Sequence, residues 1–258
     1  DGGISLLTGA SDAGQGSDTV LCQIVAEELG VLLEDIRITS ADTELTPPDP
    51  GTFSSRVTFL AGNAVKRAAG DAKRQLFEIV AEGLEANIED LEAKDRRIYV
   101  KGSPERGIPF AEAVQYCLFS DKKTPILGRG FYTPPTFLGS GNISPAYSFG
   151  AQVAEVSVDP ETGQIRFLKS TDAHDCGFAI NPMGVEGQLE GSIVGGEGQA
   201  LYEECHMHHG QMLNPSFLDY KVPTSLEAPA METIIVETID PEGPFGAKEA
   251  GEGVQVSP

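Results

Sequence analysis

Gly246-Ala247-Lys248-Glu249-Ala250-Gly251-Glu252-Gly253 puts two carboxylates into a loop broken by glycines. Glycines beside an acid let backbone approach a ligand closely and adopt conformations that other residues resist. A nearby lysine biases such an acid toward its ionised form. A carboxylate held in this way can take a proton from a reacting group. The same composition also describes a solvated acidic turn, and this segment alone leaves both open. A second segment, Gly9-Ala10-Ser11-Asp12-Ala13-Gly14-Gln15-Gly16-Ser17-Asp18-Thr19, follows an apolar run at Ile4–Leu7 that reads as a strand. It precedes Val20 to Gly30, where Val20, Ile24 and Leu29 lie near one helical face and Gly30 suits a C-terminal cap. Ser17 or Asp18 is the expected N-cap. Strand, glycine loop and helix start form an anion cradle, with free backbone N–H groups and the helix dipole facing the loop. A tight strand-to-helix turn fits equally. The spacing is that of neither a dinucleotide fingerprint nor a P-loop.

Read together, these segments resemble the molybdenum-binding large subunit of the xanthine oxidase family. There a Gly-Gln-Gly loop holds molybdopterin and a Gly-Ala-Lys-x-x-Gly-Glu loop supplies the active-site glutamate. Two further stretches fit that family. Gly51-Thr52-Phe53-Ser54-Ser55-Arg56-Val57-Thr58 resembles its Ser-Arg segment, and Asp175-Cys176-Gly177-Phe178-Ala179-Ile180-Asn181-Pro182, continuing to Gln188, resembles its Asp-x-Gly-x-x-x-Asn-Pro segment. Four motifs in the family order cover nearly the whole chain. The resemblance implies Glu252 as the catalytic carboxylate. It implies cofactor contacts at Gly14, Gln15, Gly16, Ser17, Thr19, Ser55, Arg56, Asp175, Cys176, Gly177, Asn181, Gln188, Lys248, Glu249, Ala250 and Gly251. No side chain is expected to bind the metal directly, since molybdenum is held through the pterin.

Finer likenesses point within the family to the 4-hydroxybenzoyl-CoA reductase alpha subunits. They lie at Pro244–Ala250, Ile38–Asp42, Ser54–Phe59, Leu218–Thr224 and Gly128–Tyr132. Gly251 departs from that pattern, where serine is expected. This implies reductive removal of a phenolic hydroxyl from a CoA thioester, with Glu252 transferring the proton. The alternatives are a hydroxylase of a purine, nicotinate or aldehyde, and, in a different class, a non-catalytic anion-binding or assembly module that would not need Glu252. The family also implies the cytosine-dinucleotide form of molybdopterin, iron–sulfur clusters and FAD on partner subunits, a dimer of heterotrimers, and a cytoplasmic location.

The chain has 258 residues and a net charge of −21. That argues against nucleic acid or anionic membrane as partner. An anionic cofactor would need local donors: amides at Gly14–Thr19, and the cations Arg56 and Lys248. Cys22, Cys117, Cys176 and Cys205 are dispersed without Cys-x-x-Cys, which gives neither a disulfide framework nor iron–sulfur spacing. Cys205-His206-Met207-His208-His209 beside Gly210 reads as a hairpin tip in preference to a metal site. His174 is either near the cofactor segment or a buried structural residue. Ser54-Ser55 has no histidine partner for a hydrolase.

Elements must hold these segments in place. Strands are expected at Ile4–Leu7 and Val31–Thr39, and helices at Val20–Gly30 and Ala61–Leu84. A hairpin around Ile98–Val100 and a helix at Pro109–Phe119 follow. Pro134-Pro135 and Gly139-Ser140-Gly141 mark a linker. The second half carries a hairpin, 152–158 with 164–168, turning at Asp159–Gly163. A glycine-rich helix starts at Asn181-Pro182, and a strand at Glu232–Thr238 leads into the glutamate loop. The expected class is α+β (α/β layered): two similar halves of mixed sheets covered by helices, 1–135 and 136–258. Both ends read as truncated.

Overall fold

The computed structural model describes residues 2–119, 125–134 and 146–255. The chain forms two compact units, Asp1–Pro145 with Glu242–Pro244, and Ala146–Pro241 with Phe245–Pro258. The expected boundary at 135/136 and the Gly139-Ser140-Gly141 linker lie outside the described residues. Among those residues no helix is long and apolar enough to cross a membrane.

In the first unit β1 (Ile4–Thr8) pairs in parallel with β2 (Ile36–Ser40), Ile4 opposite Ile36. Leu6 and Thr8 are buried while Leu7 is exposed, the period-two pattern of a half-buried strand. The crossover is α1 (Ser17–Leu29), which buries Leu21, Ile24 and Val25. This face packs on α2 (Val57–Leu84); a side chain added at Gly62 would meet Ile24 Cδ1 at 3.0 Å. β3 (Leu91–Lys94), β4 (Arg97–Val100) and β5 (Ser103–Pro109) form an antiparallel meander, followed by α3 (Phe110–Phe119) against α2.

In the second unit β6 (Gly150–Val158) and β7 (Ile165–Asp175) form the expected hairpin. β10 (Ala230–Val236) joins the other side of β7 in parallel, which gives a mixed sheet in the order β10-β7-β6. α4 (Pro182–Glu197) packs on it through buried Leu189 and Ile193, with Val254 completing the cluster. Asn181 caps α4, accepting from Gly184 N at 3.1 Å, and Pro182 sits where no N–H is needed.

Several expected boundaries shift for identifiable reasons. α1 starts at Ser17, and its N-cap is Gly16, with no capping side chain of its own. Leu33–Asp35 is a 3₁₀ turn where strand was expected, closed by Leu32 N donating to the Asp35 carboxylate at 2.9 Å. α2 begins four residues early because Val57 and Phe59 are already buried. β10 ends at Val236, opposite Asp175, where β7 ends; Thr238 N turns to the Asp175 side chain. The sheets are also unequal between units: the first has a parallel pair and an antiparallel meander, the second the mixed sheet. Gly187 and Gly191 of α4 face open space, touching neither sheet nor another backbone. His206–Gly210 is exposed and forms the first strand and turn of a hairpin, β8 (Met207–His208) turning at His209-Gly210 into β9 (Gln211–Met212).

Candidate functional site

The glycine loop of the first unit is organised by a residue that sequence reasoning passed over. Asp12 accepts from Gly14 N (2.8 Å) and Gly16 N (3.3 Å) on one carboxylate oxygen and from Asp18 N (3.1 Å) on the other. Burial opposes its ionisation, but these three donors outweigh it and hold the carboxyl below its usual range. Three of the amides expected to be free for an anion, those of Gly14, Gly16 and Asp18, therefore already serve one supplied by the chain itself. Gln15, expected to face the cofactor, folds inward: its Nε2 donates to Ser11 O and to Ser17 Oγ, both at 2.8 Å, and its Oε1 accepts from Ala13 N. Ser17 is buried, while Thr19 is exposed on the first turn of α1. Gly14 and Gly16 have φ of 115° and 79°, and a Cβ on either would meet nothing within 4 Å. The loop fits a ligand through this open space over its glycines, more than through side-chain amides.

The Ser-Arg segment joins the same loop, with Thr52 Oγ1 donating to Ser11 O at 2.6 Å. Ser54 and Ser55 both have positive φ, 53° and 48°, a strained pairing for non-glycine residues. Arg56 does not point outward as a spare cation. It donates to Asp49 at 3.0 Å and to Gly51 O at 2.5 Å, and lies over Phe53.

In the second unit Asp175 and Lys248, both expected as cofactor contacts, face each other. Lys248 Nζ donates to Asp175 (2.6 Å), Thr238 Oγ1 (2.9 Å) and Tyr147 O (3.2 Å), which occupies all three ammonium hydrogens. Both side chains are under a tenth exposed. Burial pushes the Asp175 carboxyl up, but the bonds from Lys248, Thr238 and Gly177 prevail and hold it well below the usual carboxylate range. This pair clamps the glutamate loop to the end of β7. Gly177 pairs with Ala247, and a Cβ at Gly177, where φ is 65°, would lie 2.2 Å from Gly246 O. Asn181 has its side-chain oxygen committed to the cap. Gln188 is half-buried on α4. The Cys176 thiol is buried, and that burial pushes it up to about 11.

Glu252 is exposed and opens a 3₁₀ turn between buried Gly251 and buried Val254. Glu249 and Ala250 are half-buried. Burial first, then the carboxylates of Glu252 and Asp240, push the Glu249 carboxyl up, while Lys248 pulls it down. Phe245, with φ 54°, marks strain where the loop begins. The structure thus gathers Gly14–Thr19 with Thr52–Arg56 in one unit, and Asp175–Gln188 with Lys248–Glu252 in the other.

Sequence reasoning missed Asp12 and Asp49, and a signal was present. Asp12-Ala13-Gly14, Asp49-Pro50-Gly51 and Asp175-Cys176-Gly177 each form an Asx turn. Asp Oδ1 accepts from the glycine N–H at 2.8, 2.9 and 3.1 Å.

Residues 1–229 match the family model described as the molybdopterin cofactor-binding domain. The chain is 36% identical over 256 residues to the 6-hydroxypseudooxynicotine dehydrogenase complex subunit gamma of Paenarthrobacter nicotinovorans, covering 97% of this chain and 31% of that protein. It is 32% identical over 258 residues to the nicotine 6-hydroxylase large subunit of the same organism, covering 99% and 31%. Quinoline 2-oxidoreductase from Pseudomonas putida 86 superposes with a TM-score of 0.87 at 32% identity, over 96% of this chain and 31% of that one. The chain thus spans about a third of the length of the curated relatives it matches. The family model spans most of the chain and the relatives match nearly all of it: the chain belongs to the molybdopterin cofactor-binding domains of the xanthine oxidase family.

Proposed function

We propose that this chain is the cofactor-holding part of a molybdenum-dependent oxidoreductase in which Glu252 carries the proton of the reaction. The presentation of Glu252 supports the reading most: an exposed carboxylate held between two buried residues, Gly251 and Val254. Val254 anchors one side in the α4 core and the Asp175–Lys248 pair anchors the other. The loop therefore has little freedom to turn that carboxylate away. When bound, the molybdenum cofactor supplies two-electron chemistry at a substrate carbon. The proposed share of the first unit is cofactor contact at Gly14 and Gly16, with Thr19 and Ser55; that of the second is contact at Gln188 and a proton accepted or returned at Glu252. Half-buried Glu249 stands beside it, its own carboxyl pushed up by burial and by Glu252. The cofactor is taken as the cytosine-dinucleotide form, with electrons exchanged through iron–sulfur and flavin partner subunits in a dimer of heterotrimers. The 258 residues alone are expected to be inactive.

The substrate is proposed to be 4-hydroxybenzoyl-CoA, reduced so that the phenolic hydroxyl leaves as water; the likenesses at Pro244–Ala250 and Ser54–Phe59 support it. A second reading, hydroxylation of a nitrogen heterocycle, is favoured by relatives named nicotine 6-hydroxylase and quinoline 2-oxidoreductase. A substrate panel on the complete protein separates them: thioester reduction with a low-potential donor against nicotinate or xanthine oxidation. Metal analysis giving molybdenum near one per large subunit supports either enzyme; its absence favours a non-catalytic anion-binding module. Glu252→Gln is expected to keep fold and cofactor while turnover falls by about 10²- to 10⁴-fold. Glu249→Gln should cost much less. Near-normal turnover in Glu252→Gln would remove this assignment.

A further inference from the structure

One buried group behind the glutamate loop has no part in the function proposed above. His174 lies on β7 and is 1% exposed. Its Nε2 is 3.2 Å from the carbonyl oxygen of Glu249. A carbonyl only accepts, so Nε2 carries the hydrogen. The other ring nitrogen, Nδ1, is buried without a hydrogen-bond partner. The ring also reaches the far side of the loop. A Cβ on Gly253 would fall 2.7 Å from His174 Cε1 and 3.1 Å from Nδ1, so only glycine fits against it there. Gly150 lies opposite His174 across the β6–β7 ladder, where an added Cβ would make only an ordinary contact with Nδ1 at 3.8 Å. His174 thus touches the loop at residues 249 and 253, on both sides of Glu252. Ser148 Oγ donates to the same Glu249 carbonyl at 3.1 Å, so that carbonyl is held from two directions.

We propose that His174 is a positioning residue for Glu252. It supports the 249–253 arch from the sheet side and sets the direction in which the Glu252 carboxylate leaves the backbone. The proposal rests on the reading of Glu252 as the proton carrier. A misplacement of order 1 Å at a reacting group costs up to about 10²-fold in rate. With Ser148 still in place, loss of the histidine should cost about 10-fold or more.

The test uses the complete, cofactor-loaded protein and three variants. His174→Leu removes the donor, His174→Gln keeps an N–H at similar reach, and Gly253→Ala pushes on the ring from the loop side. Turnover, KM, molybdenum content and hydrogen exchange of the peptide spanning 247–255 are measured for each. His174→Leu and Gly253→Ala should lower kcat about 10-fold or more, leave KM and molybdenum content unchanged, and speed exchange in that peptide. His174→Gln should recover most of the turnover and protection. Should His174→Leu fail to fold, Gly253→Ala carries the same expectation. Wild-type kcat in Gly253→Ala, or a His174→Gln variant as impaired as His174→Leu, overturns the proposal. If Glu252→Gln itself keeps full turnover, the assignment of Glu252 has failed instead. Loop exchange then decides the His174 contact alone, and unchanged exchange in His174→Leu overturns it.

Discussion

The glycine loop and the glutamate loop face the same problem and solve it with different chemistry. Each must hold irregular backbone with one side open. The glycine loop is held locally by Asp12, which bonds amides two, four and six residues onward at an exposed position. The glutamate loop is held from far away. Lys248 bonds Asp175, 73 residues earlier, and Glu249 is bonded by His174, 75 residues earlier, with most partners buried. A local exposed restraint is cheap to build and cheap to lose, since water replaces each broken bond. A buried ion pair contributes little as a pair, yet removing one member strands a charge in a site that cannot solvate it. The second loop therefore tolerates less.

The largest effect should come from breaking the buried pair on one side only. Lys248→Met leaves Asp175 buried and unpaired, and should cost about 3–5 kcal/mol in urea unfolding. A Lys248→Met, Asp175→Leu double variant should be markedly less harmed than the single. Because the Asp175 carboxyl is held below its unfolded value, its stabilisation is complete above the usual carboxylate range. It is lost as acid carries the pH from that range down toward the lowered folded value. Denaturation midpoints that stay flat on acidification would show that the pair is not ionised as drawn.

In the glycine loop Gly16→Val should cost about 1–2 kcal/mol from its positive φ alone, because nothing crowds the position. The complete protein should then lose molybdopterin, as measured by pterin and metal content. Full occupancy would break the idea that the loop's conformation is what the ligand needs. Asp12→Ala should cost about 1 kcal/mol, the size of a lost helix cap, with Asp12→Asn falling between it and wild type. A loss as large as that of Lys248→Met would erase the contrast between the loops.

What was readable in the sequence follows the same division. Helix α1 with its Gly30 cap, the Asn181-Pro182 helix start and the Asp159–Gly163 turn rest on interactions within a few residues, so periodicity and turn chemistry reveal them. The motifs mark Asp175 and Lys248, but not their bond to each other, because a bond spanning 73 residues leaves no local trace. Arg56 is legible as a cation but its partner Asp49 is not, since a proline turn lies between them. Asp12 is legible in the sequence, since Asp-x-Gly is an Asx-turn spacing.

The smallest effect is expected at Asp172, fully buried beside Ser170 and opposite Gln152 on the β6–β7 ladder. Burial pushes its carboxyl up, against hydrogen bonds from Ser170 and Gln152. The folded chain therefore keeps this proton after the unfolded chain has lost it. Stability should fall as pH rises from the usual carboxylate range toward the raised folded value. Asp172→Asn should flatten that slope and shift stability by no more than about 1 kcal/mol, read from urea midpoints between about pH 4 and about pH 7.

The burial of Cys176 gives the molecule a built-in clock. Its thiol is shielded and held protonated at neutral pH, within the corner where β7 meets the glutamate loop, whereas Cys205 stands exposed on the surface. An alkylating reagent should label Cys205 at once, and Cys176 only when that corner opens. Peptide mapping of labelled protein over time would then report how often the glutamate loop lifts from the sheet. Cys22 and Cys117, buried in the other unit, would time the opening of its core in the same experiment.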